Sequence, residues 1–130
     1  MNAAVQPCSA PVALITGGAR RIGAEIARVL HGHGIDIALH YRASADAAHA
    51  LADELNRLRP GSAVALAAAL GDREAAETLV GATEEYFGRL DILVNNASTF
   101  FATPIGTIDA AVWDDLTGSN LRGPLFLAQA

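Results

Sequence analysis

Residues 12–23 read VALITGGARRIG, and the fold can be predicted outward from this stretch. The apolar run from Val12 to Ile15 predicts a buried strand, and the residues after Gly23 continue into a helical pattern. A glycine-bearing turn between a strand and a helix presents free N–H groups and the positive end of the helix dipole. The stretch therefore predicts a phosphate-binding turn, although it lacks the dinucleotide spacing G-x-G-x-x-G. A tight turn that binds no ligand is the alternative interpretation.

Apolar runs and helical patterns alternate along the whole chain. The predicted strands are 11–16, 35–41, 63–70 and 90–94, and the predicted helices are 21–32, 45–58, 74–87, 108–113 and 115–130. Residues 95–107 show no period and are predicted to form a loop. The alternation predicts an α/β fold: a doubly wound, parallel, Rossmann-like sheet in three α/β/α layers. The sequence ends in a helical pattern after the fourth strand, so we expect the fold to be truncated there.

Periodicity also predicts which helix faces are buried and where helices begin. The first helix should bury its aliphatic face, namely Ile22, Ile26, Val29 and Leu30, and the second should bury Ala48, Leu51, Leu55 and Leu58. Ser44 and Asp72 are predicted N-caps. Because parallel strands end at a common edge, residues 16–23, 40–44, 70–71 and 95–101 should converge there, which is where open α/β sheets bind ligands.

Composition restricts the class of protein. The formal net charge is −5 and the pI is about 5.2, so nothing favours nucleic acid or an acidic membrane surface as a partner. No apolar run approaches the roughly 20 residues that span a bilayer. The single cysteine, Cys8, excludes a disulfide framework and favours the reducing cytoplasm. Residues 1–10 are expected to be a flexible tail without a signal peptide, and residues 11–130 one domain.

The end of the second strand indicates which dinucleotide the turn would bind. A site for NAD usually places Asp or Glu there to bond the ribose 2′-hydroxyl. This strand instead ends His40-Tyr41-Arg42-Ala43-Ser44, with no carboxylate. A guanidinium and a hydroxyl at a helix N-terminus suit a 2′-phosphate, so the charges favour NADPH over NADH. A solvated surface arginine is the alternative reading of Arg42.

These motifs together resemble the short-chain dehydrogenase/reductase family. The resemblance rests on Thr16-Gly17-x-x-x-Arg21-x-Gly23 and on Asn95-Asn96-Ala97. Arginine at position 21, where the family mostly has its middle glycine, is similar to the pteridine reductase branch. His40-Tyr41-x-x-Ser44 and Asn96-Ala97-Ser98-x-Phe100 also match that branch. The resemblance covers residues 11–130, the N-terminal half of such an enzyme.

The resemblance implies a role for each matching position. The pyrophosphate, adenosine ribose, 2′-phosphate and nicotinamide ribose would be held by Gly17, Arg20, Arg21, Ile22, Gly23, His40, Tyr41, Arg42, Ser44, Leu70, Asn96, Ala97 and Ser98. Asn95 and Asn96 would also stabilise the central strand, and Ser98 would reach substrate or cofactor phosphate. Phe100 would stack a pterin ring against the nicotinamide. Asn120 would act in catalysis by ordering a proton-relay water through a kink in its helix.

The chain also departs from the family pattern. Ala69 stands where many members have an aspartate for the adenine amine, which leaves backbone groups near Leu70 to bind adenine. All nine basic residues are arginine, so the Tyr-x-x-x-Lys pair of the family is absent, and Tyr41 and Tyr86 lie outside its expected segment. His31-x-His33 has no third ligand in sequence reach, so no metal site is expected.

The resemblance implies an NADPH-dependent reductase that acts on pteridines or folates, with its catalytic Tyr and Lys outside this chain. By itself the chain would be inactive. A carbonyl reductase of the same family and a non-catalytic NADPH-binding module are the alternatives. The resemblance further implies a homotetramer, formed through the helices that begin near Asp115.

Overall fold

A four-stranded parallel sheet forms the centre of the computed structural model, which describes residues 9–130. The strands are β1 (Val12–Ile15), β2 (Asp36–Tyr41), β3 (Ala63–Ala67) and β4 (Ile92–Val94), in the order β3-β2-β1-β4. The helices are α1 (Arg21–Gly32), α2 (Ala45–Leu58), α3 (Arg73–Phe87), α4 (Ala110–Thr117) and α5 (Gly123–Gln129). A π-helical turn, Gly118–Arg122, joins α4 to α5. Among the described residues, no helix is long and apolar enough to cross a membrane.

The sheet is covered by helices on both faces, because successive side chains of a strand point to opposite sides. Ala13 and Ile15 of β1 pack in one core, which contains buried residues of α1 and α2. Leu14 packs in the second core, with residues of α3 and α5. The predicted three-layer α/β/α fold is therefore confirmed.

Strand order places a crevice beside β1. The chain runs from β1 outward to β2 and β3, and then returns to the other side of β1 for β4. Connections on either side of β1 therefore diverge at the carboxyl ends of the strands. Such a switch point is where open α/β sheets bind their ligands.

The prediction of the buried helix faces was partly wrong. Helix α1 buries its small residues, including Gly23, Ala24 and Ala27, because they allow the helix to lie close to the strands. Ile22 and Val29 are 71% and 50% exposed, and Leu58 of α2 is 75% exposed.

Two predicted boundaries also differ from the structure. Strand β3 ends at Ala67 rather than at residue 70. Ser44 does occupy the N-cap position of α2, but its side chain makes no capping hydrogen bond, whereas Asp72 caps α3 by accepting from the Ala75 N–H. The hydroxyl of Ser44 therefore forms no hydrogen bond with the start of the helix that it precedes.

A buried polar cluster joins the strand ends opposite the crevice. The His31 imidazole lies 2.6 Å from the Ser62 hydroxyl, which donates its own proton to the Arg59 carbonyl. Arg59 also pairs with Asp36, and Asn56 accepts from the Ser62 N–H at 3.0 Å. Since the serine proton is already donated, His31 must donate to Ser62 through Nε2–H. Burial, and secondarily the charge of Arg59, lower the pKa of His31.

The predicted tail, residues 1–10, is described only at Ser9 and Ala10. Arg89 donates to both the carbonyl and the hydroxyl of Ser9 at 3.1 Å. Cys8 lies outside the described residues.

Candidate functional site

A cleft of about 550 Å³ opens at the carboxyl ends of β1, β2 and β4. Its walls are the turn after β1, the segment after β2 and the loop after β4, which are three of the four segments predicted to converge. The fourth contributes Leu70. All of the predicted cofactor-binding residues line the cleft: Gly17, Arg20, Arg21, Ile22, Gly23, His40, Tyr41, Arg42, Ser44, Leu70, Asn96, Ala97 and Ser98.

The turn after β1 can be built only with small residues at two positions. Gly17 has a φ of +61°, which side chains disfavour, and a Cβ there would lie 3.1 Å from the Ala97 Cα. At Gly23 a Cβ would overlap the Gly17 carbonyl and lie 2.6 Å from the Asn96 Nδ2. The two glycines thus let α1 begin directly against the loop after β4.

The start of α1 offers unpaired donors to the cleft. Within the described chain, the N–H groups of Arg21, Ile22 and Gly23 have no hydrogen-bond partner, while the Ala24 N–H bonds to the Arg20 carbonyl. Unpaired N–H groups at the positive end of a helix dipole are an anion-binding arrangement.

Arg21 has an unusual backbone conformation at this helix start. Its φ is +50°, and it is the one non-glycine residue with positive φ in the described part of the chain. A side chain in this region costs roughly 1–2 kcal/mol relative to the right-handed conformation. Glycine would adopt this conformation without that cost, whereas arginine adds positive charge at the expense of strain.

His40 supports the turn from the end of β2. Its backbone carbonyl accepts from the Gly18 N–H at 3.0 Å, and its ring Nδ1 lies 3.1 Å from the Gly17 nitrogen. Its Nε2 lies 2.8 Å from the Ala68 carbonyl oxygen. Both ring nitrogens are engaged, and the side chain is buried. Both ring nitrogens thus have backbone partners in this structure, and the role of His40 in holding the adenosine ribose or its phosphate stays a prediction.

Thr16 and Asn96 lock the turn to the loop after β4. The Thr16 hydroxyl accepts from the N–H groups of Asn96 and Ala97, both at 3.0 Å. The Asn96 side-chain amide donates to the carbonyls of Thr16 and Gly17 at 3.0 and 3.2 Å. The side chain of Asn96 therefore fixes the turn, as expected for stabilisation of the central strand.

The cleft is positively charged although the protein is acidic. Of residues 9–130, three arginines line it, Arg20, Arg21 and Arg42, and no aspartate or glutamate does. All three are exposed, so their charges are solvated until an anion binds. Their three positive charges favour the binding of a ligand that carries several negatively charged phosphate groups.

A smaller hollow of about 180 Å³ adjoins the cleft and shares Arg42, Leu70 and Ser119 with it. Ala69 lines it from the strand side, and Asp114 and Asp115 line it from α4. The position where many family members have an aspartate is thus open, and carboxylates approach the hollow from the opposite wall.

Asn120 lies in the π-helical turn, so the expected interruption of its helix is present. Its side-chain amide accepts from the Thr99 N–H at 3.0 Å and donates to the Thr99 carbonyl at 2.8 Å. These two bonds hold the loop after β4 against the π-helical turn. Asn120 does not line the cleft, whereas its neighbour Ser119 does.

Phe100 is not among the residues that line the cleft. Its side chain is 91% exposed at the rim of the same loop. The structure therefore leaves the ring accessible, and its stacking on a pterin stays a prediction.

Three groups contribute to the site in addition to the residues that the sequence predicts. They are the Thr16 hydroxyl, the Thr99 backbone held by Asn120, and Ser119 at the cleft wall. A polar residue that ends a fully apolar strand, as Thr16 does, is the one signal that could have identified any of them. The described residues contain no group of histidine, cysteine and acidic side chains able to hold a metal ion.

Comparisons with known proteins agree with this fold. The family model for short chain dehydrogenases matches residues 11–130. The chain belongs to the short-chain dehydrogenase family.

Three relatives show how the similarity is distributed. The chain is 39% identical to pteridine reductase 1 of Leishmania tarentolae, over 94% of this chain and 53% of that protein. It is 36% identical to a short-chain dehydrogenase/reductase of Cladobotryum sp, over 91% and 45%. It is 32% identical to a 3-oxoacyl-acyl-carrier-protein reductase of Staphylococcus aureus, over 85% and 45%. The resemblance to pteridine reductases is confirmed, and the chain spans about half the length of these relatives.

Proposed function

We propose that the chain is the cofactor-binding half of an NADPH-dependent reductase. The observation that carries this proposal is the cleft wall of three arginines and no carboxylate, beside the unpaired N–H groups of α1. An NADH site would need a carboxylate at the end of β2, where the chain has Arg42 and Ser44.

The residues present fit this cofactor. The N–H groups of Arg21, Ile22 and Gly23 would bind the pyrophosphate, and Arg42 with the uncommitted Ser44 hydroxyl would bind the 2′-phosphate. Tyr41 would border the adenosine, and Ala97 and Ser98 the nicotinamide ribose. When bound, NADPH supplies a hydride for reduction.

The proposed substrate is a pteridine or folate, reduced at a C=N bond of its ring. The similarity to pteridine reductase 1 and the arginine at position 21 support this choice. Phe100, whose ring is exposed on the loop after β4, would stack on the substrate. A carbonyl substrate is the second candidate, favoured by the position of Phe100 outside the cleft and by the similarity to a 3-oxoacyl reductase.

The proton for either reaction would come from outside these 130 residues, since the chain has no lysine. Within the chain, Asn120 would act by holding the Thr99 backbone, which fixes the loop that borders the reacting groups. Its proposed ordering of a relay water depends on the same π-helical turn.

Substitution of Arg42 by aspartate tests the choice of cofactor. The change removes a charge-assisted phosphate contact, worth roughly 1.5–3 kcal/mol, and adds an acceptor for a ribose hydroxyl. We expect NADP⁺ affinity of the intact protein to fall at least tenfold and NAD⁺ affinity to rise, as measured by calorimetry. Arg57→Asp makes the same charge change on the exposed surface of α2 and should alter neither. Unchanged NADP⁺ selectivity in Arg42→Asp would contradict the assignment.

A turnover screen with NADPH separates the remaining functions. Dihydropteridine reduction supports the first candidate, and reduction of simple carbonyls alone supports the second. NADPH binding without any turnover would instead support a non-catalytic binding module.

We also propose a cytoplasmic homotetramer. Trp113 of α4, Leu121 of the π-helical turn and Leu125 of α5 are more than half exposed, and apolar surface of this kind favours association. Sedimentation of the intact protein would test this, and a monomer at micromolar concentration would contradict it.

A further inference from the structure

His40 connects three strand ends through one imidazole ring. It lies at the end of β2, bonds the turn after β1 through Gly17, and bonds the residue after β3 through Ala68. It is only 3% exposed. The buried ring therefore links the segments that follow β1 and β3, with a hydrogen-bond donor on the first and an acceptor on the second.

The two partners fix the protonation state of the ring. The Ala68 carbonyl can only accept, so Nε2 must carry the proton. The Gly17 N–H can only donate, so Nδ1 must be unprotonated. The structure is therefore consistent with the neutral Nε2–H tautomer alone. Burial lowers the pKa of His40, opposed in part by its hydrogen bond to Ala68, and this favours the same neutral form.

Protonation would remove the acceptor of the Gly17 N–H. Nδ1 of the cationic ring would then carry a proton that faces the Gly17 N–H, so that two donors would meet. The carbonyl of the same glycine accepts a hydrogen bond from the Asn96 side chain at 3.2 Å. Gly17 begins the turn whose other end supplies the free N–H groups of α1. A displacement of Gly17 would therefore also displace these N–H groups, because they belong to the same short turn.

We propose that His40 is a positioning residue of the phosphate turn, and that cofactor binding weakens when its imidazole is protonated. The inference rests on the proposed binding of NADPH, and it assigns His40 to the turn instead of to the cofactor.

Other charged or titratable groups surround the same space. Arg20 and Arg21 face it from the turn and α1, and Arg42 follows Tyr41, the last residue of β2. His49 of α2 lies 3.5 Å from the Tyr41 hydroxyl, and Asp114 and Asp115 line the adjoining hollow from α4. The 2′-phosphate of the ligand also titrates near pH 6, as phosphate monoesters do. A test must therefore compare variants that differ at position 40 alone.

Two variants isolate the imidazole. In His40→Asn the side-chain oxygen can take the place of Nδ1 as acceptor but does not titrate. In His40→Phe a ring of similar size offers no acceptor. Calorimetry with NADP⁺ between pH 8 and pH 5 should show the intact wild-type protein losing more affinity than His40→Asn does, by a factor that grows as the pH falls, because burial lowers the pKa of the ring. At pH 8, His40→Phe should bind about tenfold more weakly than the wild type, and His40→Asn should lie between them.

Two results would overturn the inference, and a third would overturn the proposed function. Equal loss of affinity in wild type and His40→Asn, or full affinity in His40→Phe at pH 8, would overturn the inference. Failure to bind NADP⁺ at every pH would instead overturn the proposed function. In that case amide exchange of Gly17 decides the positioning role: exchange that is faster in His40→Phe supports it, and unchanged exchange refutes it.

Discussion

Replacing Gly23 by alanine should disrupt the phosphate turn. The new Cβ would overlap the Gly17 carbonyl oxygen, lie 2.6 Å from the Asn96 Nδ2, and lie 3.0 Å from the Gly18 Cα. Two of these neighbours are backbone atoms. The third belongs to an amide that already donates two hydrogen bonds. Moving any of these atoms away would distort the backbone of the turn or break a hydrogen bond of Asn96.

The size of the effect follows from these contacts. Overpacking against fixed neighbours costs roughly 1–3 kcal/mol, and each hydrogen bond that Asn96 loses costs about 1 kcal/mol. Alanine recovers about 1 kcal/mol through its higher helix propensity. We therefore expect Gly23→Ala to lower the free energy of unfolding by about 2 kcal/mol, and to weaken NADP⁺ binding because the turn must shift.

Gly81→Ala is the matched control. Gly81 lies inside α3 and is exposed, and a Cβ added there would meet no neighbouring atom within 4 Å. The same substitution should raise stability there by about 1 kcal/mol. Urea unfolding and NADP⁺ calorimetry of both variants test the reasoning. Equal stability of the two variants, or wild-type NADP⁺ affinity in Gly23→Ala, would refute it.

Three further predictions concern strain, pH and the substrate. Arg21→Gly should change stability by less than about 0.5 kcal/mol, since relief of the positive φ offsets the flexibility of glycine. It should nevertheless weaken NADP⁺ binding about tenfold, because the cleft loses one of its positive charges. Arg28→Gly, in the middle of α1, should cost about 1 kcal/mol in helix propensity and should also lose the ion pair with Glu54. Stability should fall as the pH drops below about 6.5, because burial lowers the folded-state pKa of both His31 and His40 and the unfolded chain then binds more protons. Phe100→Ala should weaken pterin binding and spare NADP⁺ binding.

Each of these has a result that would contradict it. For Arg21→Gly, it is a loss of stability as large as that of Arg28→Gly in urea unfolding. For the pH dependence, it is a free energy of unfolding that stays constant or rises between pH 7 and pH 5. For Phe100→Ala, it is an equal loss of pterin and NADP⁺ affinity, which would make Phe100 structural.

The sheet could be predicted because its strands are short apolar runs between helical patterns. The position of the cleft could be predicted for a similar reason, since parallel strands place their carboxyl ends at one edge whatever the side chains are. Arg42 and Ser44 were therefore assigned to the cleft from their place in the chain alone.

Features that depend on side-chain direction could not be predicted in this way. The period of α1 favours its aliphatic face, and Ile26 and Leu30 do pack against the core. The small residues Ala24 and Ala27 are buried more deeply, because they allow the closest approach of the helix to the sheet. His40 belongs to the cleft by position, yet only the fold shows that its ring points to Gly17 and Ala68. The positive φ of Arg21 is likewise a property of the backbone path.

The central claim is that the arginine-lined cleft binds NADPH through its 2′-phosphate. A crystal structure of the intact protein with NADP⁺ tests it most directly. The pyrophosphate should lie at the N–H groups of Arg21, Ile22 and Gly23, and the 2′-phosphate should lie within hydrogen-bond distance of Arg42 and Ser44. A dinucleotide bound elsewhere, or bound here with its 2′-phosphate away from Arg42, would contradict it.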